Sequence, residues 1–374
     1  MQVQLYRSFG DLPQSYSTLF AERADPSVFT TRQWIETYVA NAQEPGEKLH
    51  LFGVEEDGPK KLPIAIMAGF ASRLYSAHPR ARVLRFFQAD SVPYSPVVSK
   101  TLEQSAVVLE QVVEKIYEAK PQYEVVRFSP LDPVSSLYEE IVRILHEADQ
   151  ILQTYFTFPN CYEIVDGRTA EEYFRDRPSV LRNTLRRKGK KLDATGHSRF
   201  ELVTGGSILE RSILDYDRVF AASWKMEELL LPIQYIHGIM RCAADAGALR
   251  LGVLYADDQP AATQFWIVSG DVAHCYRLAY NEQFSKFSVG SILTQRMIEQ
   301  LIDVDGVKVI DFGIGDDPYK GDWATLRRER WGIVAFNPRT VRGVKGALRH
   351  IVGRAIKRGF KKVVQPISRL RSRG

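Results

Sequence analysis

The sequence predicts an α/β protein of the α+β kind: two successive domains with mixed central sheets, plus a basic amphipathic C-terminal helix. Three observations carry this. A strand and helix order of β-β-β-α-β-α-β is read twice along the chain. The length of 374 residues lets each half bury a core of its own. From Arg339 to Gly374 there are twelve Lys or Arg and no Asp or Glu, against 38 basic and 45 acidic residues in the rest of the chain.

The first half reads as apolar strands at Leu49–Glu55, Leu62–Phe70 and Arg82–Phe87, followed by a helix over Leu102–Ala119. A strand (Tyr123–Phe128), a helix (Ser136–Ala148) and a strand (Ile151–Phe158) complete it. The second half repeats the order with strands at Leu249–Tyr255, Ala261–Val268 and Ala273–Tyr280, joined by hairpin turns at Asp257-Asp258 and Ser269-Gly270-Asp271. A helix over Ile292–Ile302 opens near Ser288. A strand (Lys308–Phe312), a polar loop and a strand (Trp331–Phe336) follow. The junction is expected near Pro159-Asn160, giving domains 1–159 and 160–338 and a tail 339–374. Between the halves, Thr169 and Glu172 have capping-box spacing. Eight basic residues against one acidic residue follow between Arg175 and Lys191. That positive face is read as attracting a phosphate, an acidic protein or lipid headgroups, or as a solvated helix face pairing with the acidic body.

Composition excludes several classes. Cys161, Cys242 and Cys275 are odd in number and lack C-x-x-C spacing, which argues against a disulfide framework and a zinc site. Seven scattered histidines form no metal-ligand spacing, so no metal is expected. The N-terminus has no basic start followed by an apolar core, so no signal peptide is expected. No apolar run reaches the roughly 20 residues of a membrane span.

The most informative stretch joins the strand ending at Tyr280 to the helix opening near Ser288. Strand, polar break and helix N-terminus in that order form a pocket for a phosphorylated ligand. The amides of Val289, Gly290 and Ser291 are free to bind anionic oxygens, and Gly290 lets the backbone come close.

Four pieces carry a resemblance: SWKMEE (Ser223–Glu228), GALRLGVLYADDQPAATQFW (Gly247–Trp266), YRLAYNEQFSKFSVGSIL (Tyr276–Leu293) and DFGIGDDPYKGDW (Asp311–Trp323). Together they resemble the C-terminal half of GNAT-type acyltransferases of the CelD-like branch, relatives of the FemABX aminoacyltransferases. The specific part spans roughly Arg177 to Pro338. The resemblance implies two tandem GNAT-like domains, an acyl thioester donor (usually a coenzyme A ester) and an amine or hydroxyl acceptor. No permanently bound cofactor is implied. One position departs from the usual pyrophosphate signature: Phe287 stands where a basic or amide residue is expected. Acyl carrier protein therefore remains an alternative donor. Val289, Gly290 and Ser291, with Arg277 on the preceding strand, are the candidate donor-binding residues.

Transfer from a thioester to an amine needs a base for the amine proton, a polarised carbonyl and a proton for the departing thiolate. No covalent intermediate is required, which fits the absence of G-x-S-x-G, H-E-x-x-H and P-loop motifs. Asp311 is a candidate base or amine-orienting group, or else a buried Asp holding the turn after Phe312. Tyr280 is a candidate donor to the sulfur. Lys320 resembles a lysine that FemABX-like enzymes hold near acceptor or donor, and Glu228 is a second candidate base. Trp224, Trp266, Tyr319 and Trp323 are candidate walls of the acceptor channel, or core.

In the tail, apolar residues recur at three- and four-residue steps with Lys and Arg between them, the pattern of a helix lying in an anionic membrane interface. Docking of that helix on the protein is the alternative, and nucleic acid is not expected as a partner. With the motif RPSVLRNTLRRKGKKL, the chain looks most like the bacterial ceramide synthase-like subset. That implies acyl transfer to the amine of a long-chain amino lipid such as a sphingoid base, at the cytosolic face of the membrane. A sugar or exopolysaccharide acceptor is the alternative, and a non-catalytic membrane-associated binding module the second.

Overall fold

The computed structural model describes residues 1–59, 61–73, 80–99, 105–224 and 231–352. In chain order, the opening segment carries β1 (Gln2–Tyr6), α1 (Ser15–Ala21) and α2 (Arg32–Asn41). Thr31 caps α2 by accepting from the Trp34 amide. Next come β2 (Lys48–Glu55), β3 (Pro63–Ser72), β4 (Val83–Phe86), the short β5 (Val97–Val98), α3 (Ser105–Glu118), β6 (Val125–Leu131), α4 (Ser136–Glu147) and β7 (Ile151–Ile164). The expected capping box then appears: Thr169 and Glu172 satisfy each other's backbone amides at the start of α5 (Ala170–Arg175). The chain continues through α6 (Ser179–Asp193), β8 (Ser198–Val203), α7 (Leu209–Ala221) and α8 (Ile233–Asp245). The hairpin strands β9 (Leu249–Ala256), β10 (Gln259–Ser269) and β11 (Val272–Tyr280) follow. Last are α9 (Val289–Glu299), β12 (Val309–Ile314) and β13 (Leu326–Phe336).

The chain folds as two compact units. The first comprises Met1–Ala24, Glu44–Thr157 and the chain from Arg330 onward. Its strands lie in the order β1-β2-β3-β4-β6-β13, all antiparallel neighbours except the parallel pair β4 and β6. α3 and α4 cover the sheet with Val112, Ile116, Ile141 and Leu145, packed on Phe52, Phe86 and Phe128. Phe86 and Phe128 stack at 4.3 Å. Fully burying each such side chain contributes on the order of 2 kcal/mol. Residues 341–352 form a helix that sets Ala347 against Val83, Val334 and Phe336. The rest of the expected amphipathic tail lies outside the described residues.

The second unit comprises Asp25–Gln43 and Phe158–Glu329. Its order is β7-β12-β11-β10-β9-β8, and again one pair is parallel, β11 with β12. The repeated order of meander, helix and return strand is the one read from the sequence, and the structure adds that the return strand pairs in parallel. β10 is buried on both faces, so its apolar run shows no alternation. Trp266 faces the cluster of α6 and α9, with Leu181, Leu185, Val289, Leu293 and Met297. The neighbouring Phe265 points the other way, into an aromatic group with Tyr216 and Tyr276, which Trp34 also joins. α9 approaches β9 closely: a Cβ at Gly252 would stand 2.4 Å from Met297 Sδ.

β1, α1, α2, β5, β8, α7 and α8 have no counterpart in the sequence reading. That reading also stopped β7 and started β13 several residues inside their observed bounds.

Candidate active site

The site is built where β11 and β12 part. They pair in parallel only at Val272–Val309, Ala273–Ile310 and His274–Asp311. β11 then runs on through Cys275–Tyr280, while β12 turns away over Phe312 and Gly313, the latter at φ +71°. Glycine takes this left-handed conformation without steric cost. The register of β11 with β10 also shifts between Phe265 and Trp266, leaving Tyr276 as an extra residue in β11. The result is a V-shaped opening in the sheet, where β11 beyond His274 has no pairing with β12.

α9 begins at the rim of this opening. Ser288 precedes it in the left-handed region at φ 55°, and its side chain makes no cap bond. The first intrahelical amide bond is from Ile292 to the Ser288 carbonyl, and the Val289, Gly290 and Ser291 amides have no backbone acceptor among the described residues. The Gly290 carbonyl accepts from Gln264 Nε2 at 3.2 Å and Thr294 Oγ1 at 3.0 Å, which fixes the first turn. A Cβ at Gly290 would lie 3.3 Å from Tyr280 Cδ1, so the end of β11 and the start of α9 touch.

Phe287 carries no charge, but cations stand around it, from the loop itself and from α6. Lys188 of α6 donates to the Lys286 carbonyl at 2.6 Å, and Lys191 and Lys286 stand 5.6 Å and 4.9 Å from the Phe287 ring. Sequence spacing missed this because Lys188 and Lys286 are 98 positions apart.

Asp311 is 3% exposed and fully engaged. Its Oδ1 accepts from Asn160 Nδ2 and the Gly313 amide, both at 2.7 Å, and its Oδ2 accepts from Arg328 at 2.6 Å. Burial pushes its carboxyl up, but the charges of His274 and Arg328 and the bonds from Asn160 and Gly313 outweigh it. The group is held below the ordinary aspartate value. Lys320 is also buried, and its ammonium donates to the Ile314 carbonyl and, at 3.3 Å, to that of Gly315. It staples the loop after β12.

Tyr319 is half turned to solvent. Burial and the neighbouring Cys275, Asp317 and Cys161 push its hydroxyl above the ordinary tyrosine value, so it stays a donor at neutral pH. Trp323 is 4% exposed; its carbonyl accepts from Tyr173 and Arg177, which pairs with Glu163 at 2.8 Å. Trp266 is fully buried, bonded to Gln264 and edge-on to Phe312. Both are packed in the core, while Trp224 is 51% exposed beyond α7. Arg277 makes no hydrogen bond to α9 among the described residues, and its charge is felt at Tyr216 of α7. Glu228 lies outside the described residues.

The structure thus brings together Tyr280, Val289, Gly290 and Ser291 on one side of the opening, and Asp311, Tyr319 and Lys320 on β12 and its following loop.

Residues 179–321, from α6 through this loop, match the family model of an acetyltransferase (GNAT) domain. The fold is similar to that of FemX, with a TM-score of 0.61 and 10% identity over 91% of this chain and 98% of that one. It is also similar to a conserved protein of unknown function from Bacteroides thetaiotaomicron, with a TM-score of 0.57 and 8% identity over 90% of this chain and 100% of that one. No curated protein sequence gives a match. The second unit therefore carries a GNAT-type acyltransferase domain. Enzymes with that domain use acyl-coenzyme A as co-substrate.

Proposed function

We propose that the protein is an N-acyltransferase that moves an acyl group from a thioester of coenzyme A, or of a carrier protein, to the amine of a long-chain amino lipid such as a sphingoid base. The observation that carries the acyl-transfer part is the parted β11–β12 pair with the open amides of α9 at its rim. The amides hold the donor phosphate, and the arm of the donor runs along the opening where β12 has left β11. The amine nitrogen attacks the thioester carbon. The new C–N bond forms as the C–S bond breaks, the amine proton passes to a base, and the thiolate takes a proton. Tyr280, against Gly290, is the donor to the sulfur, with Tyr319 on the opposite side of the opening.

Asp311, with both oxygens engaged and its pKa lowered, is assigned to holding the bend of β12 rather than to taking the proton. Glu228 is left as the base.

The lipid acceptor rests on helix 341–352. It turns Ala347 inward and leaves Val341, Leu348, Ile351 and Val352 exposed beside Arg342, Lys345 and Arg349. An outward apolar stripe flanked by cations suits an anionic membrane surface and favours a lipid over a sugar or exopolysaccharide acceptor. No described helix is long and apolar enough to cross a membrane, so any membrane contact through these helices would lie at the surface.

The test is mass spectrometry of the protein incubated with sphinganine and acyl-coenzyme A esters of increasing chain length. N-acyl sphinganine is the expected product, with kcat lowered on Glu228→Gln. Thioester hydrolysis without an N-acyl product sinks the lipid acceptor. No donor consumption from either coenzyme A or carrier protein sinks the acyl-transfer reading and leaves a binding module.

A further inference from the structure

Helix α6 carries a run of positive charge that the described part of its unit leaves uncompensated. Leu181, Leu185 and Leu192 turn its apolar stripe into the core. Arg182, Arg186, Arg187, Lys190 and Lys191 stand exposed as a result, and Lys188 is half-buried. Among the described residues none of these six forms an ion pair with a carboxylate. Arg168, Arg177, Arg211, Arg241, Arg250 and Arg328 of the same unit all do. A solvated face in an acidic body would be expected to gather similar partners.

We propose that this face docks an acidic carrier protein presenting the acyl thioester on a phosphopantetheine arm. The inference rests on the acyl-transfer reading above and names the donor's carrier. Position supports it: through Lys188 on the Lys286 carbonyl and Lys191 beside Phe287, α6 adjoins the loop that leads into the open amides of α9. A partner seated on α6 delivers its phosphate to those amides.

Size and chemistry separate the alternatives. Arg182 to Lys191 spans about 13 Å at about 1.5 Å per residue, and the cations fan around the whole solvent side of the helix. The phosphates of one nucleotide meet only a few of them. A bilayer calls for outward apolar residues, and on α6 Val180 is the one large exposed apolar side chain. Single-stranded RNA is held by aromatic stacking, which α6 has no residue to provide. A surface of carboxylates is the partner that such a purely electrostatic face fits.

Palmitoyl-loaded acyl carrier protein and palmitoyl-coenzyme A are compared as donors for the wild type and for Arg182→Gln/Arg186→Gln/Lys190→Gln, three exposed positions. We expect kcat/KM with the carrier protein to fall by at least about tenfold, and that with coenzyme A by less than about twofold. Equal losses with both donors overturn the proposal in favour of a nucleotide-phosphate site. No loss with either donor overturns it in favour of a solvated face. Fluorescence anisotropy of labelled carrier protein at rising salt provides a readout independent of turnover. Salt-sensitive binding that the triple variant loses upholds the docking face even if no acyl group is transferred, and the failure then belongs to the acyl-transfer reading. Loss of binding to anionic vesicles or transfer RNA, with no binding of carrier protein by the wild type, overturns it.

Discussion

Arg328 closes on Asp311 at 2.6 Å, at the point where β12 leaves β11, and its Nε also donates to Asn160 Oδ1 at 2.7 Å. One guanidinium therefore fixes both the carboxylate and the amide that orients it, and the Arg328 group lies 4.4 Å from the Tyr162 ring centroid. Removing the carboxylate charge leaves the part-buried Arg328 guanidinium without its ion pair, which costs about 2 kcal/mol. Asp311→Asn is expected to lower stability by that amount in urea unfolding. The double variant Asp311→Asn/Arg328→Gln should lose less than the sum of the two single losses, because both act on one network. Strict additivity would show the pair to be uncoupled.

The same carboxylate sets an acid limit. Asp311 and Glu163 are both held below their ordinary values. For Glu163, burial pushes upward, while the bonds from Thr325 and the charge and bond of Arg177 outweigh it. The unfolded chain takes up these protons more readily than the folded one. The contribution is therefore fully present above the unfolded carboxylate values of about 3.9 to 4.3, and is lost as pH falls through the folded values. Urea midpoints should be insensitive to these groups between pH 7 and 5 and fall below about pH 4, less steeply in Asp311→Asn. A decline between pH 7 and 5 that Asp311→Asn removes would contradict this.

Gly290 is the position at which donor binding can be weakened without unfolding the protein. A Cβ there meets the edge of Tyr280 at 3.3 Å, a contact the ring can relieve by a small shift. The larger Gly290→Val crowds the three amides and should raise the KM for the acyl donor about tenfold. That corresponds to losing one charge-assisted hydrogen bond of about 1.5 kcal/mol. Its melting temperature should stay near that of the wild type. An unchanged KM would remove the α9 amides from the donor site.

Local features were legible in the sequence, and long-range ones were not. The Thr169–Glu172 capping box, the Asp257-Asp258 turn with both residues at positive φ, and the start of α9 after Ser288 each depend on a few adjacent residues. β8 was missed because its residues are mostly half-buried and give no clean alternation. α7 was legible in principle: Leu209, Ile213, Tyr216 and Phe220 lie on one buried face at helical spacing. The partners of Asp311 could not be read, since Asn160 lies 151 positions away. Its two readings, base or turn holder, differ only in what occupies its lone pairs. Trp266 and Trp323 likewise read the same as channel walls or as core until their neighbours are known.

The helix over residues 341–352 makes the most direct prediction about membranes. Its inward side is fixed by Ala347 and by Gly343, where a Cβ would stand 2.1 Å from the Asn337 carbonyl oxygen. Val341, Leu348, Ile351 and Val352 are exposed at 71%, 56%, 46% and 54%. Changing them leaves the packed side intact. Leu348→Glu/Ile351→Glu adds negative charge and removes apolar area from the outward stripe, and should abolish cosedimentation with vesicles containing phosphatidylglycerol. Arg342→Gln/Lys345→Gln/Arg349→Gln should weaken binding by about 1 kcal/mol per position, and 0.5 M salt should have a similar effect on the wild type. Circular dichroism and melting temperature should be unchanged in both variants. If the wild type binds these vesicles and both variants bind equally well, the apolar stripe and its cations are not the contact. Failure of the wild type to bind at all would shift the acceptor toward a water-soluble amine.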